Sequence, residues 1–147
     1  MKQFSFNLDR ILRYRIHLEK KAQGDLFHAK SEYMKRKTAV KRLIEKRMEI
    51  AKKCSNEGFK GMDVPLYQIY KSFLQKLHQD LERAYTNLKE SEEKLKAQTL
   101  FLKKESIKKK TLETLKDFQL QKYITKLKRD EQKDMDELAI SKYIGNS

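Results

Sequence analysis

Three histidines, one cysteine and a scatter of carboxylates are the groups from which this chain could build chemistry, and none is spaced for it. His17 and His28 fall on one helix face but are separated by roughly 16 Å along the axis, too far to share a metal. His78 is remote from both. Cys54 stands alone, so no intrachain disulfide can form, and a reducing cytoplasm is the expected setting. The sequence holds no G-x-x-x-x-G-K-[ST] phosphate loop, no H-E-x-x-H helix and no C-x-x-C pair. Serine, histidine and aspartate side chains are present, but a narrow helical hairpin offers no concavity to exclude water around them. The expectation is a protein without catalysis, cofactor or metal.

The elements that carry these residues follow from a single interruption. Gly58-Phe59-Lys60-Gly61-Met62-Asp63-Val64-Pro65 holds the only proline and two of the four glycines of the 147-residue chain. Charged and apolar residues each make up 38%, with no tryptophan, a balance that suits a coiled coil and not a thick globular core. No apolar run of about 18 residues exists to span a membrane. The opening residues lack the apolar stretch of a secretory signal. The predicted fold is all-α: one antiparallel coiled-coil hairpin, monomeric when free. Helix 1 is expected over 7–56, a turn over 57–64 and helix 2 over 65–140, with Asp63 as N-cap and Pro65 in the first turn. Ser55 or Asn56 followed by Gly58 is the expected stop of the first helix. A parallel dimer would leave the turn without purpose.

Apolar spacing supplies the seam. In the first arm it runs through Leu8, Ile11, Leu18, Ala22 and Leu26 to Tyr33, Val40, Leu43, Ile50 and Cys54, in steps of mostly three and four. Successive steps of four at Leu18, Ala22 and Leu26 read as a stutter. Gly24 beside it is either a thin place where helices approach closely or a tolerated surface glycine. In the second arm the stripe passes through Leu66, Tyr70, Phe73, Leu77, Leu81, Ala84, Leu88 and Leu95. It returns after a polar interval at Leu112, Leu115, Ile124 and Leu127. Folding about residue 60 pairs position i with roughly 120 − i, a paired length of roughly 75 Å. The second helix is expected to overhang at the C-terminus, with 115–147 unpaired. A lone charged helix is marginal in water, so that extension awaits another protein.

Two surfaces stand out. Between Lys103 and Arg129 lies a basic stretch that contributes much of the +14 formal charge. It reads as a solvated helix exterior, as electrostatic steering toward an acidic partner, or as phosphate neutralisation. With the cations taken as spread around the helix and no nucleic-acid-binding motif, nucleic acid is not the expected partner. Near the turn, Tyr67, Tyr70 and Phe73, with Tyr85 below, form an aromatic stripe that two thin helices cannot fully cover.

The chain also resembles a known family. Phe4, Phe6, Leu8, Ile11 and Leu12 are similar to the Phe-x-Phe-x-Leu-x-x-Leu-Leu opening of the flagellar export protein FliJ family. Gly61-Met62-Asp63-Val64, then Tyr70, Phe73 and Leu77, resemble its Gly-Met-x-Val and Tyr-x-x-Phe-x-x-x-Leu segments. Gln132-Lys133-Asp134-Met135-Asp136-Glu137 resembles its Gln-Lys-x-Met-Asp-Glu block. Tyr67 departs from members that carry a larger aromatic there. The resemblance implies a non-enzymatic stalk, similar to the central coiled coil of rotary ATPases, in the flagellar type III export apparatus. It implies that the stalk enters and stimulates a hexameric export ATPase and contacts the cytoplasmic domain of the export-gate membrane protein and some export chaperones. It further implies a cytoplasmic location, peripheral at the inner membrane. On this basis Gln132, Lys133, Met135, Asp136 and Glu137 are candidates for ATPase contact, and Tyr70, Phe73 and Leu77 for gate contact. The stalk of a virulence-type secretion system would share the shape. The alternative of a different class is a basic coiled coil that coats nucleic acid or an anionic membrane.

Overall fold

Two long helices fold back on each other, as the punctuation of the sequence requires. The computed structural model describes residues 3–145: helix α1 is Asp9–Phe59 and helix α2 is Val64–Gly145. They pack antiparallel, with no strand among the described residues. The turn is narrower than expected. α1 continues through Gly58 and ends at Phe59, and the backbone reverses at Gly61, whose φ of 85° lies in the left-handed region. A side chain at that φ would be strained, which is why glycine serves there. The Lys60 and Gly61 amides donate to the Glu57 and Gly58 carbonyls at 3.1 and 3.3 Å, closing the last turn. Asp63 precedes α2 as its N-cap position, its carbonyl accepting from the Tyr67 amide at 3.0 Å, and Pro65 occupies the first turn.

Contacts divide the chain into two units, each containing a stretch of both helices. Lys21–Leu102 forms one, and the residues through Lys20 with those from Lys103 form the other. In the Lys21–Leu102 unit the seam is apolar. On α1, burial recurs at Ala22, Leu26, Ala29, Tyr33, Val40, Leu43, Ile50 and Cys54, with Arg36 and Arg47 as exposed members of the same alternation of three and four. On α2 it recurs at Tyr70, Leu74, Leu77, Leu81, Ala84, Leu88, Ser91, Leu95 and Gln98. Leu77 and Leu81 are 4% and 5% exposed. Ser91 satisfies its hydroxyl on the Leu88 carbonyl at 2.8 Å, whereas Gln98 Oε1 is buried without a hydrogen-bond partner.

The other unit uses the same spacing with different chemistry. Its inward positions are Leu8, Leu12, Arg15 and Glu19 on α1 and its lead-in, and Glu105, Lys109, Leu112 and Lys116 on α2. Among the described residues three ion pairs cross between the helices: Asp9–Lys116 at 3.3 Å, Arg15–Glu105 at 3.6 Å and Glu19–Lys109 at 2.8 Å. The polar interval of the sequence is therefore the seam itself, built from charge. The expected stutter is absent, because the seam passes through buried Glu19 and not through Leu18. Likewise Leu12 is buried while Ile11 is exposed.

Before α1, residues 3–8 are not helical but remain attached. Phe6 is buried, and the Phe4 ring lies 5.6 Å from the Tyr123 ring in a tilted arrangement. Contact with α2 is thus carried past Leu115, to Tyr123. From residue 128 to Gly145 every side chain is exposed.

Gly24 lies on the exposed side of α1, and a Cβ there would meet nothing within 4 Å. The close-approach reading is excluded, and the tolerated surface glycine remains. Gly24→Ala should raise stability by about 1 kcal/mol, read as an upward shift of the thermal midpoint. No shift, or a fall, would mean that the turn is not solvent-exposed helix.

The ion pairs give stability a pH dependence with a defined sign. The Lys109 hydrogen bond, helped by Ser106 and opposed by burial, holds the Glu19 carboxyl below its usual range, and Glu19 in turn raises Lys109. Arg13 first, then Lys116, lowers Asp9 in the same way. A carboxylate with a lowered folded value stabilises above its ordinary titration range and loses that contribution as pH falls through the lowered value. A lysine with a raised folded value stabilises below its ordinary range and loses the contribution as pH rises through the raised value. The Glu19–Lys109 pair therefore stabilises across neutrality and fails at both extremes. Glu19→Gln with Asp9→Asn should lower the melting temperature at neutral pH and flatten its decline in acid. Parallel wild-type and variant curves would show that these pairs do not couple to folding.

Candidate functional site

Burial sorts the candidate contact residues before any partner is invoked. Near the turn, Leu77 points into the seam, and Tyr70 is half-buried. The Glu57 carboxylate on the last turn of α1, acting as an acceptor toward the Tyr70 hydroxyl, holds the phenol above its usual pKa. Both residues fasten the turn end of the hairpin. Phe73 differs: it is 38% exposed, flanks the seam beside Leu74, and receives the Lys46 ammonium 5.4 Å from its ring centre. The turn-proximal trio is therefore split, with one member offering surface. Around it the sequence reading missed Ile69, exposed one turn before Phe73, and Phe59 and Val64, exposed at the reversal. The signal was available, since Leu66, Ile69 and Phe73 are spaced three and four apart beside the seam phase.

At the other end of α2, Gln132, Lys133, Met135, Asp136 and Glu137 are all exposed on continuous helix. Gln132 Nε2 donates to Asp136 Oδ1 at 3.0 Å, one turn on, which fixes two of the five on a common face. The other three do not join them. At about 100° per residue, Met135 and Glu137 point to opposite sides of the helix. The block presents thioether, amide and both signs of charge over about 200° of the circumference, centred on Asp136, and the remaining face carries Glu131, Asp134 and Leu138. Beyond it Leu138, Ile140, Tyr143 and Ile144 are exposed as well. Helix with no buried face and this much apolar surface is poorly supported by its own chain.

The basic stretch is ordered, not diffuse. Lys109 and Lys116 turn inward to the ion pairs, and the remaining cations from Lys103 onward are exposed. The expectation of cations spread around the helix is corrected here. Placed on a helix of 3.6 residues per turn, the exposed cations occupy the half directed away from α1. Periodicity could have shown this once Glu105 and Lys109 were recognised as seam positions.

Among the described residues no group of three or more His, Cys, Asp or Glu side chains could hold a metal ion, and no helix is long and apolar enough to cross a membrane. The arrangement can do its work through surfaces: an apolar patch at the turn, a cationic half of α2 and a bare helical extension. No curated protein and no solved structure matches the chain. The family pattern described as flagellar FliJ protein matches residues 4–147. A two-helix hairpin matched over essentially its whole length belongs to the flagellar FliJ family, and so is a non-catalytic component of the flagellar export apparatus.

Proposed function

We propose that this protein is the stalk of the export apparatus, placing the bare end of α2 inside a hexameric export ATPase ring and stimulating ATP turnover. The observation that carries this reading is the helix from residue 128 to Gly145, exposed on every side, with the contact candidates spread over more than half of its circumference. A partner that touches one face of a helix needs one stripe. A ring encloses the helix, and all five of Gln132, Lys133, Met135, Asp136 and Glu137 can then meet it at once. Apolar Met135, 66% exposed, and Leu138 supply area that is buried on insertion, and the flanking charges set register. Cations on the neighbouring stretch of α2 steer approach to an acidic ring and weaken with salt.

The turn end serves the second contact. Phe73, with Ile69 and Leu66 beside it, offers an aromatic anchor to the cytoplasmic domain of the export-gate membrane protein. Tyr70 and Leu77 hold the backbone beneath it. The protein is then cytoplasmic and peripheral at the flagellar base, with export chaperones as further partners.

Replacing Met135, Asp136 and Glu137 together by alanine should reduce stimulation of the export ATPase by about tenfold, with helicity by circular dichroism preserved. Full stimulation by the triple variant would refute insertion of this block. Phe73→Ala should weaken capture of the gate domain by about tenfold while shifting the melting temperature little. Gate binding that survives Phe73→Ala but is lost with an exposed residue elsewhere would move the contact away from the turn.

A further inference from the structure

We propose that the outward half of α2 between Lys103 and Lys133 is a binding face for an anionic lipid bilayer. With the helix viewed down its axis and centred on Phe118, the half directed away from the seam carries two cationic clusters. One is Lys103, Lys104, Lys108 and Lys110; the other is Lys122, Lys126, Lys128, Arg129 and Lys133. All of these are exposed. No carboxylate of the stretch falls on that half. Glu105 is in the seam, Glu113 borders it, and Asp117 and Asp130 mark the edges of the cationic half. Asp136 is the first acid to return to its centre. Lys108 lies 3.5 Å from seam residue Glu105, and Lys122 sits 4.7 Å over the Phe118 ring; the other seven cations make no ion pair or ring contact among the described residues.

Between the clusters the same half is uncharged. Thr111, Thr114, Leu115, Phe118 and Gln121 occupy it, with Ile107 just before, and the three apolar side chains are exposed. This order of charge, apolar patch and charge along roughly 45 Å of continuous helix selects among polyanions. A flat bilayer surface meets a one-sided stripe along its length. Phe118, Leu115 and Ile107 then enter the boundary between headgroups and acyl chains, while lysine stems lie along it with their ammonium groups at the lipid phosphates. A duplex nucleic acid gives exposed leucine and phenylalanine nothing to bury against. The inference does not rest on the ATPase reading, since the face shares only Lys133 with the five residues proposed for ring contact.

The test uses the full-length protein and co-sedimentation with vesicles of phosphatidylcholine alone or with about a third phosphatidylglycerol. Binding should require the anionic lipid and weaken with salt. The triple variant Lys122→Glu, Lys126→Glu, Arg129→Glu should lose about 100-fold or more in partitioning. A triple of equal charge change on α1, Lys35→Glu, Lys37→Glu, Lys41→Glu, should lose less than about threefold. Phe118→Ser should cost about tenfold at physiological salt, where charge alone is screened. Three results would overturn the proposal: equal losses from the two triples, undiminished binding by Phe118→Ser, or tighter binding to random duplex DNA that the α2 triple abolishes.

Discussion

Two helices can hide only one stripe of each other, and that limit governs everything else in this protein. A seam of alternating three and four steps covers about a third of each helix. Among the described residues no side chain larger than alanine is fully enclosed; Ala22 reaches zero exposure, and the best-buried large apolar residues are Leu12, Val40, Leu77 and Leu81. Stability must therefore come from many partial burials in register and not from a core. Most of the surface is left free to carry function, and every candidate contact except Leu77 and Tyr70 lies there.

The change of seam chemistry between the two units follows from the same limit. An apolar seam slides by a heptad at little cost, because one leucine replaces another. Charges resist sliding. Glu105 is almost fully buried, its Oε2 accepts no hydrogen bond, and Arg15 stands 3.6 Å from it; moving the register by one heptad would leave that carboxylate facing no cation of α1. Breaking such a pair is more costly than its net contribution to stability, which is the property a register lock needs. Asp9–Lys116 and Glu19–Lys109 repeat the device on either side. The apolar unit supplies adhesion, and the ionic unit supplies alignment.

The hairpin, the place of reversal and the family were legible in the residues because each rests on a local or repeated signal. One cluster of glycine and proline in a helical sequence leaves few alternatives, and the Phe4, Tyr70 and Met135 motifs occur in order around it. The phase of the seam was less legible. Choosing apolar residues alone selected Leu18 over Glu19, Ile11 over Leu12 and Phe73 over Leu74, since each rejected position is a neighbour of the chosen one. A two-helix seam admits charge and leaves leucine exposed, so hydrophobicity alone cannot fix its phase. The longer alternation does fix it, running from Leu8 through Glu19 to Cys54 on one arm and from Tyr70 through Leu74 to Lys116 on the other. Once that phase is set, the one-sidedness of the cations on α2 follows without further information.

That one-sidedness bears on how a thin helix serves more than one contact. Through Leu127 the inward half of α2 is occupied by α1 and the residues leading into it, so any partner must use the outward half, and a single sign of charge there favours one class of surface. Beyond Leu127 the inward half is released and both halves are exposed. The charge pattern changes at nearly the same place: Asp130, Glu131, Asp134, Asp136 and Glu137 return acids to the outward centre, one flank and the former seam side of the helix. A mixed, all-round surface suits enclosure by protein, where close packing rewards matched charges. A uniform, one-sided surface suits a plane. Because the two patterns overlap only between Lys128 and Lys133 on one continuous helix, engagement of one surface leaves most of the other free.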